Sequence, residues 1–261
     1  MESSPSQRKE PTKAEHTISA YADESVTSNI IVYAAAVFPI DQVSSAETGL
    51  ASMKEALGLA STTPLHCRIV FNAHARRGTA WESVSLEAIN SAIMALCRGL
   101  ALIGYRPVAF ISKPSHIVIP SLPEDQSKGV PLDEKGQAAI GFQVLSFYLT
   151  NLYGYGAAKL WIDPDKTKIP WLNGKTQPNF TRSSFMDLGP DIEPPQSESI
   201  IEIVSKPLLL EIADLYRYIT AKVHKATGGR KDRWFQELYS IINPERLLWS
   251  EAKPDPKWEK A

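Results

Sequence analysis

Acidic residues stand at three points of the chain where they could together bind a metal ion. Asp23 and Glu24 end one apolar run, Asp163 ends another, and Asp214 lies in a late helical pattern one turn after Glu211. Grouped carboxylates repel one another unless a cation compensates their charge, and hard oxygen ligands suit Mg²⁺ or Mn²⁺. Two such ions about 4 Å apart hold the attacking and leaving oxygens of a phosphoryl displacement. An acid at a strand end is otherwise an ordinary turn residue.

The strands that would carry these acids follow from runs of apolar residues. Alternation over 17–24 and an apolar run over 30–38 are separated by a turn over 25–29, which predicts an antiparallel hairpin. Further strands are predicted over 65–71, 106–112, 158–163 and 200–204. Asp23 and Asp163 therefore end the first and fifth predicted strands, and they meet if those strands are neighbours in the sheet.

Helical patterns lie between most of these strands. Helices are predicted over 41–59, 80–103, 133–153, 207–227 and 234–242. Gly104 ends the second helix, Asp133 caps the third, and Pro207 opens the fourth. A hairpin followed by alternating helices and strands predicts an α/β fold, with a mixed sheet flanked by helices.

We expect a single domain, because no linker rich in proline or glycine separates two comparable cores. The predicted parts are a disordered tail over 1–16, a domain over 17–249 and a loose tail over 250–261. The domain includes a proline-rich insertion over 164–198, and long loops of this kind are often functional.

The last long helix offers a partial test of the acidic cluster. Its apolar stripe consists of Leu209, Ile212, Ala213, Tyr216, Thr220 and Val223. Asp214 and Glu211 lie off that stripe, about 60° apart around the helix axis. A solvated face would explain them, but Leu208, Leu210 and Leu215 surround the same face with apolar groups. This arrangement favours an Asp214 that points inward.

Two short motifs and the order of the elements carry a family resemblance. The segments are YADES over 21–25, Leu65-His66, LWID over 160–163, and SKPLLLEIADL over 205–215. They resemble, in order, the opening Y-x-D-E-S-G, the mid-chain Leu-His, the hydrophobic strand ending in Asp and the closing S…L-Q-x-A-D-L helix of one family. That family consists of bacterial and phage proteins catalogued as domain of unknown function 3800. The resemblance covers roughly residues 17–225.

The resemblance implies a ribonuclease H-like fold with a metal-dependent nuclease site. Carried over by position, the metal-binding acids are Asp23, Asp163 and Asp214, with Glu24 as a further catalytic candidate. The chain departs from the family pattern at two positions. Val26 replaces Gly, so the turn after the first motif must avoid positive φ. Glu211 replaces Gln, which adds negative charge beside the implied site.

Basic residues cluster around the end of the last long helix. The candidates for nucleic-acid binding there are Lys222, Lys225, Arg230 and Lys231. They could grip a phosphate backbone, or they could only offset the negative end of the helix dipole. Arg76 and Arg77, which follow the third predicted strand, form a second candidate phosphate contact. Nucleic acid is therefore the predicted partner, bound through local basic patches.

The overall composition limits these interpretations. The 261 residues include 28 basic and 29 acidic ones, a formal net charge of −1 that argues against a polyanion binder working by charge alone. Cys67 and Cys97 lack zinc-ligand spacing and are expected to be buried thiols in a reducing compartment. The N-terminal residues are polar and the most apolar stretch, 30–40, is too short to span a bilayer. We therefore expect a cytoplasmic protein with no membrane partner.

Three functions from different classes agree with these features. The first is a nuclease that uses Mg²⁺ or Mn²⁺ to hydrolyse phosphodiester bonds of DNA or RNA. The second is a non-catalytic binding or assembly protein on the same fold, with a protein partner or a second copy of itself docked on the insertion. The third is a hydrolase of small phosphorylated molecules, which would not bind polynucleotide. We take the first as the leading hypothesis.

Overall fold

The protein is described here from a computed structural model. The structure describes residues 17–27, 30–112, 118–119, 130–131, 145, 148–149, 158–162, 200–201, 207–225, 230–243 and 245–248. Most of the predicted helix over 133–153, the insertion over 164–198 and both predicted tails lie outside these residues.

Six of the described strands form one mixed sheet. The strands are β1 (Ile18–Thr27), β2 (Ile30–Pro39), β3 (Arg106–Ser112), β6 (Ala158–Ile162), β7 (Ile200–Ile201) and β8 (Glu245–Leu248). Their order across the sheet is β7-β6-β1-β2-β3-β8. Two further strands, β4 (Val118–Ile119) and β5 (Val130–Pro131), pair only with each other. The predicted mixed α/β architecture is therefore confirmed for the described part of the chain.

The first two strands form the predicted antiparallel hairpin. β1 pairs with β2 from Ile18 opposite Pro39 to Thr27 opposite Ile30. The turn predicted over 25–29 was too long, because the apolar Val26 continues the ladder opposite Ile31. β2 pairs antiparallel with β3, whereas β1–β6, β6–β7 and β3–β8 are parallel pairs.

The described helices lie between and after the strands. A single 3₁₀ turn, Ile40–Gln42, leads into α1 (Val43–Ala56). The other helices are α2 (Cys67–Val70), α3 (Ala73–Arg76), α4 (Leu86–Leu102), α5 (Leu210–His224) and α6 (Arg230–Ile242). α5 packs against β1 and β2, α4 packs against α1, and α6 packs against both α4 and α5.

The prediction of a strand over 65–71 is wrong, because this segment contains the helical turn α2. A short apolar run does not distinguish a buried strand from a buried helical turn. Here the Cys67 N–H donates to a carboxylate of α5 instead of to a neighbouring strand. α3 follows directly, and the side chain of its N-cap Asn72 accepts hydrogen bonds from the N–H groups of His74 and Ala75.

Several helix boundaries differ from the prediction for identifiable local reasons. α4 begins at Leu86 and not at 80, because the Ser85 hydroxyl accepts a hydrogen bond from Ala88 N–H and caps the helix there. Trp81 therefore precedes the helix, buried and donating its indole N–H to Pro64 O at 3.0 Å. Gly104, at φ +70°, follows the end of α4 as predicted.

The boundaries near the end of the chain also shift. α5 begins at Leu210, three residues after Pro207, because residues 207–209 form a turn before the helix. α6 begins at Arg230, four residues before the predicted start at 234. β8 was not predicted, since four residues are too few for a periodic pattern to stand out.

The main core lies between the sheet and α5. Val32, Ala34 and Ala36 on one face of β2 join the same buried cluster as Ile212 and Tyr216 of α5. The residues that alternate with them on β2 are also buried: Ile31, Tyr33, Ala35 and Val37. β2 is therefore covered on both faces, which explains why its sequence is a continuous apolar run and not an alternating one.

Candidate functional site

Asp23 lies on the face of β1 that packs against α5. Successive side chains of a strand point to opposite faces, so Asp23 shares its face with Tyr21, which belongs to the main core. Its partner in the register is the buried Ala34 of β2, and Asp23 itself is only 5% exposed. A carboxylate buried among such apolar neighbours requires charged or hydrogen-bonding partners.

Asp214 lies in the second turn of α5 and points inward, as its leucine neighbours indicated. It is 8% exposed, and its Oδ2 accepts a hydrogen bond from the Cys67 N–H at 2.8 Å. Cys67 is the first residue of α2, and such first-turn N–H groups have no partner within their own helix. Asp214 therefore fastens the start of α2 to α5.

A single guanidinium joins the two acids. Arg217 lies one turn after Asp214 on α5, and its Nη2 donates to Asp214 Oδ1. Its Nε forms an ion pair with Asp23 Oδ2 at 2.8 Å, and the Arg217 side chain is only 15% exposed. The structure thus brings Asp23 and Asp214 together, but around an arginine. Two carboxylates from distant parts of the chain therefore share one guanidinium.

The charges in this cluster stabilise one another. Burial acts to raise the pKa of the Asp214 carboxyl, but the Arg217 charge and the Cys67 N–H outweigh it, so the pKa is lowered. Burial acts to lower the pKa of the Arg217 guanidinium, and the charges of Asp23 and Asp214 raise it instead. Burial, followed by the Asp214 charge, raises the pKa of the Cys67 thiol. The carboxylate and guanidinium are therefore ionised at neutral pH, while the thiol is protonated.

A second ion pair lies one turn earlier on α5. Lys54 of α1 has a fully buried side chain, and its Nζ lies 2.6 Å from Glu211 Oε2. The same ammonium donates to Ser61 O at 3.1 Å. Burial raises the pKa of Glu211, although Lys54 acts in the opposite direction. Lys54 thus compensates the extra negative charge expected from Glu211. The ion pair also links α1 to the start of α5.

Glu24, another predicted acid, does not share the face of β1 that carries Asp23. Glu24 follows Asp23 on β1 and so points to the opposite face of the sheet, where Tyr33 is its partner in the register. Burial raises the pKa of Tyr33, and the negative charge of Glu24 raises it further. Asp163 lies outside the described residues. In the sequence it directly follows Ile162, the last residue of β6.

The first predicted basic pair is only partly available to a ligand. Arg76, in α3, donates from Nη1 to Val84 O at 2.7 Å, so part of its hydrogen-bonding capacity holds the loop before α4. Arg77 is the C-cap residue of α3 and is exposed. Of these two residues, Arg77 is therefore the better placed to contact a phosphate.

The second basic group lies at the C-terminal end of α5. Lys222 and Lys225 are exposed there, and Lys222 Nζ lies 5.2 Å from the centre of the Tyr218 ring, a cation–π contact. Burial lowers the pKa of Lys225, and the charge of Lys222 lowers it further. Arg230 and Lys231 begin α6, but their side chains lie outside the described part of the structure.

Sequence reasoning missed the two cations that pair with the acids. Arg217 follows Asp214 by three residues, and an acid and a base at this spacing on a helix are neighbours, so a signal was present. Lys54 had no such signal. It lies far from Glu211 in the sequence, and a lysine in an amphipathic helix is usually exposed.

The described donor set is incomplete for a metal ion but chemically suited to one. Among the described residues, no three His, Cys, Asp or Glu side chains are grouped so that they could hold a metal ion. The two carboxylates that Arg217 joins are nevertheless hard oxygen donors. This chemistry fits Mg²⁺ or Mn²⁺ better than a softer metal.

The described helices are too short or too polar to span a membrane. Within the ranges that the structure describes, no helix combines the length and the apolar character needed to cross a bilayer. The longest described helix, α4, has 17 residues and carries the acidic Glu87 in its first turn.

Comparison with known proteins found no significant similarity. No protein-family model, no curated protein and no solved structure matches the chain.

Proposed function

We propose that the chain is a divalent-metal-dependent nuclease that hydrolyses phosphodiester bonds of DNA or RNA on a ribonuclease H-like fold. The observation that carries this proposal is the meeting of two buried carboxylates, Asp23 from the first strand and Asp214 from a late helix, around one guanidinium. Carboxylate oxygens that meet at one point are hard donors of the kind that Mg²⁺ and Mn²⁺ prefer, and a divalent ion would stabilise their negative charge.

The strand arrangement supports the fold named in the proposal. β1 lies between an antiparallel hairpin partner, β2, and a parallel neighbour, β6. Ala22, which precedes Asp23, pairs with Ile162, which precedes Asp163 in the sequence. Asp23 was predicted to end its strand but lies within β1, which continues to Thr27. The pairing of Ala22 with Ile162 still supports Asp163 as the third proposed metal ligand.

The proposed roles divide among the residues of the cluster. Asp23, Asp163 and Asp214 would hold the ion, and the Cys67 N–H fixes the orientation of the Asp214 carboxylate. The bound ion would supply Lewis-acid stabilisation of the charge that develops on the phosphate. Exposed basic side chains, Arg77, Lys222 and Lys225, would contact phosphates of the strand outside the site.

Cleavage assays with matched variants test this proposal. Labelled single- and double-stranded DNA and RNA are incubated with Mg²⁺ or Mn²⁺ and with wild type, Asp23→Asn or Asp214→Asn. Glu237→Gln is the control, because Glu237 is an exposed acid of α6 that pairs loosely with Arg98 at 3.9 Å. We expect both Asn variants to lose at least about 100-fold in rate, since metal ligands act as a unit. Equal cleavage by wild type and both variants would refute the proposed site.

A second function, a non-catalytic binding or assembly protein on the same fold, is favoured by one observation. Arg217 already supplies a positive charge to both acids, as a cluster retained for stability alone would require. In that case the wild type cleaves no substrate, and Asp23→Asn changes stability without changing partner binding. A stable complex that survives Asp23→Asn, combined with no cleavage by wild type, would establish this alternative.

A further inference from the structure

Arg217 holds the oxygens that a metal ion would need. We propose that its guanidinium is the resident counter-cation of the Asp23–Asp214 pair, and that a divalent ion binds there only by displacing it. Arg217 is then a positioning residue, which keeps both carboxylates oriented while no metal ion is bound. This inference rests on the proposed function and adds a mechanism that regulates metal occupancy of the same site.

Competition for the carboxylate oxygens is the first argument. Asp214 has a protein donor on each oxygen: Arg217 on Oδ1 and the Cys67 N–H on Oδ2. Asp23 Oδ2 lies 2.8 Å from Arg217 Nε. An ion on these oxygens would lie within a few Å of a full positive charge in a partly buried site, where repulsion is strong. The guanidinium cannot relieve that repulsion by losing its proton.

The position of Arg217 gives it a route out of the cluster. Its side chain keeps 15% of its surface exposed, whereas Asp23 and Asp214 keep 7% and 11% of theirs. An arginine has a long flexible stem that can remain packed while the charged end turns toward water. Asp23 lies on a strand and Asp214 is held by the Cys67 N–H, so the arginine is the member best able to move.

Thermal unfolding of Arg217→Gln provides the first test. In EDTA, we expect the variant to melt below wild type, because two buried carboxylates have lost the guanidinium that they share. Mn²⁺ at about 100 times its Kd should then raise the melting temperature of the variant by about 5–10 °C. Mn²⁺ should bind the variant at least about tenfold more tightly than it binds wild type. Arg98→Gln, which removes an exposed arginine, should show neither effect.

Modification of arginine in the wild-type protein provides a second test that does not depend on a variant folding. Phenylglyoxal reacts with accessible guanidinium groups, and mass spectrometry measures the yield at each arginine. We expect Arg217 to be protected in EDTA and to become several-fold more reactive when Mn²⁺ is added. Arg98 has a side chain 63% exposed and serves as an internal control whose reactivity should not change.

The outcomes separate this inference from the proposed function. Tighter Mn²⁺ binding to Arg217→Gln, with exposure of Arg217 in wild type, supports displacement even if no nucleic acid is cleaved. Metal-dependent cleavage with Arg217 still protected in Mn²⁺ would overturn displacement and leave the nuclease proposal standing. Absence of Mn²⁺ binding to both wild type and Arg217→Gln would overturn the inference. Destabilisation of the variant that Mn²⁺ does not reverse would also overturn it.

Discussion

The buried pair of Lys54 and Glu211 should respond asymmetrically to removal of either partner. Glu211→Gln leaves a fully buried ammonium that contacts neutral acceptors, the new amide oxygen and the Ser61 carbonyl, without the negative charge of the carboxylate, and loss of one charge of a buried pair costs about 3–5 kcal/mol. Lys54→Met leaves a carboxylate that keeps 20% of its surface exposed, and burial already raises its pKa. That carboxylate can be hydrated or protonated, so we expect a cost of about 3 kcal/mol or less.

The double variant shows whether Lys54 and Glu211 affect stability through their charges. Replacing both members of a buried ion pair by uncharged residues is often neutral, so adding Lys54→Met to Glu211→Gln should restore stability. The free energy of unfolding is measured by urea titration, with the six tryptophans as the fluorescent signal. Arg98→Gln, which breaks an exposed pair, should change stability by about 0.5 kcal/mol or less.

Two results would refute this reasoning. One is a Glu211→Gln variant that is as stable as Lys54→Met, since Lys54 would then tolerate burial without its carboxylate. The other is a double variant less stable than Glu211→Gln alone, which would show that the lysine contributes through packing and not through charge.

Three further predictions concern the site and its surroundings. Because the pKa of Asp214 is lowered in the folded protein, its stabilising effect is complete above the ordinary aspartate pKa of about 3.9 and is lost as the pH falls through the lower folded-state value. The difference in unfolding free energy between wild type and Asp214→Asn should therefore shrink in acid, and a constant difference would contradict this. Burial raises the pKa of the Cys97 thiol to about 12, and it also raises the pKa of the Cys67 thiol. A disulfide reagent should therefore label both cysteines only after denaturation, and rapid labelling of the native protein would contradict their burial. Ser19→Ala removes the hydroxyl that accepts a hydrogen bond from the Trp161 indole N–H at 2.9 Å. Urea titration should show that the free energy of unfolding falls by about 1 kcal/mol, and an unchanged midpoint would count against this bond.

Elements with strong local signals were predictable from the sequence. Two apolar runs separated by a few residues predicted the β1–β2 hairpin. Gly104 marked the end of α4, because glycine readily adopts the positive φ found there. The run over 65–71 misled, because its conformation depends on a hydrogen bond from Cys67 to Asp214, 147 residues later in the chain. Such a long-range contact leaves no trace in local periodicity.

The candidate site was predictable in part. The inward orientation of Asp214 followed from the leucines around it. Asp23 was expected at the end of its strand and instead lies within β1, because the apolar Val26 continues the pairing with β2. The countercharges did not follow, because Arg217 reaches Asp23 only after α5 has packed on β1, and Lys54 reaches Glu211 only after α1 has packed beside α5.

Cleavage by wild type beside Asp163→Asn tests the central claim most directly. Labelled DNA and RNA are incubated with Mn²⁺, Mg²⁺ or EDTA, and Asp165→Asn is the matched control, since it removes an acid two residues away. We expect metal-dependent cleavage by wild type and by Asp165→Asn, and loss of that cleavage in Asp163→Asn. Cleavage that continues in EDTA, or that is equal in Asp163→Asn and wild type, would contradict it.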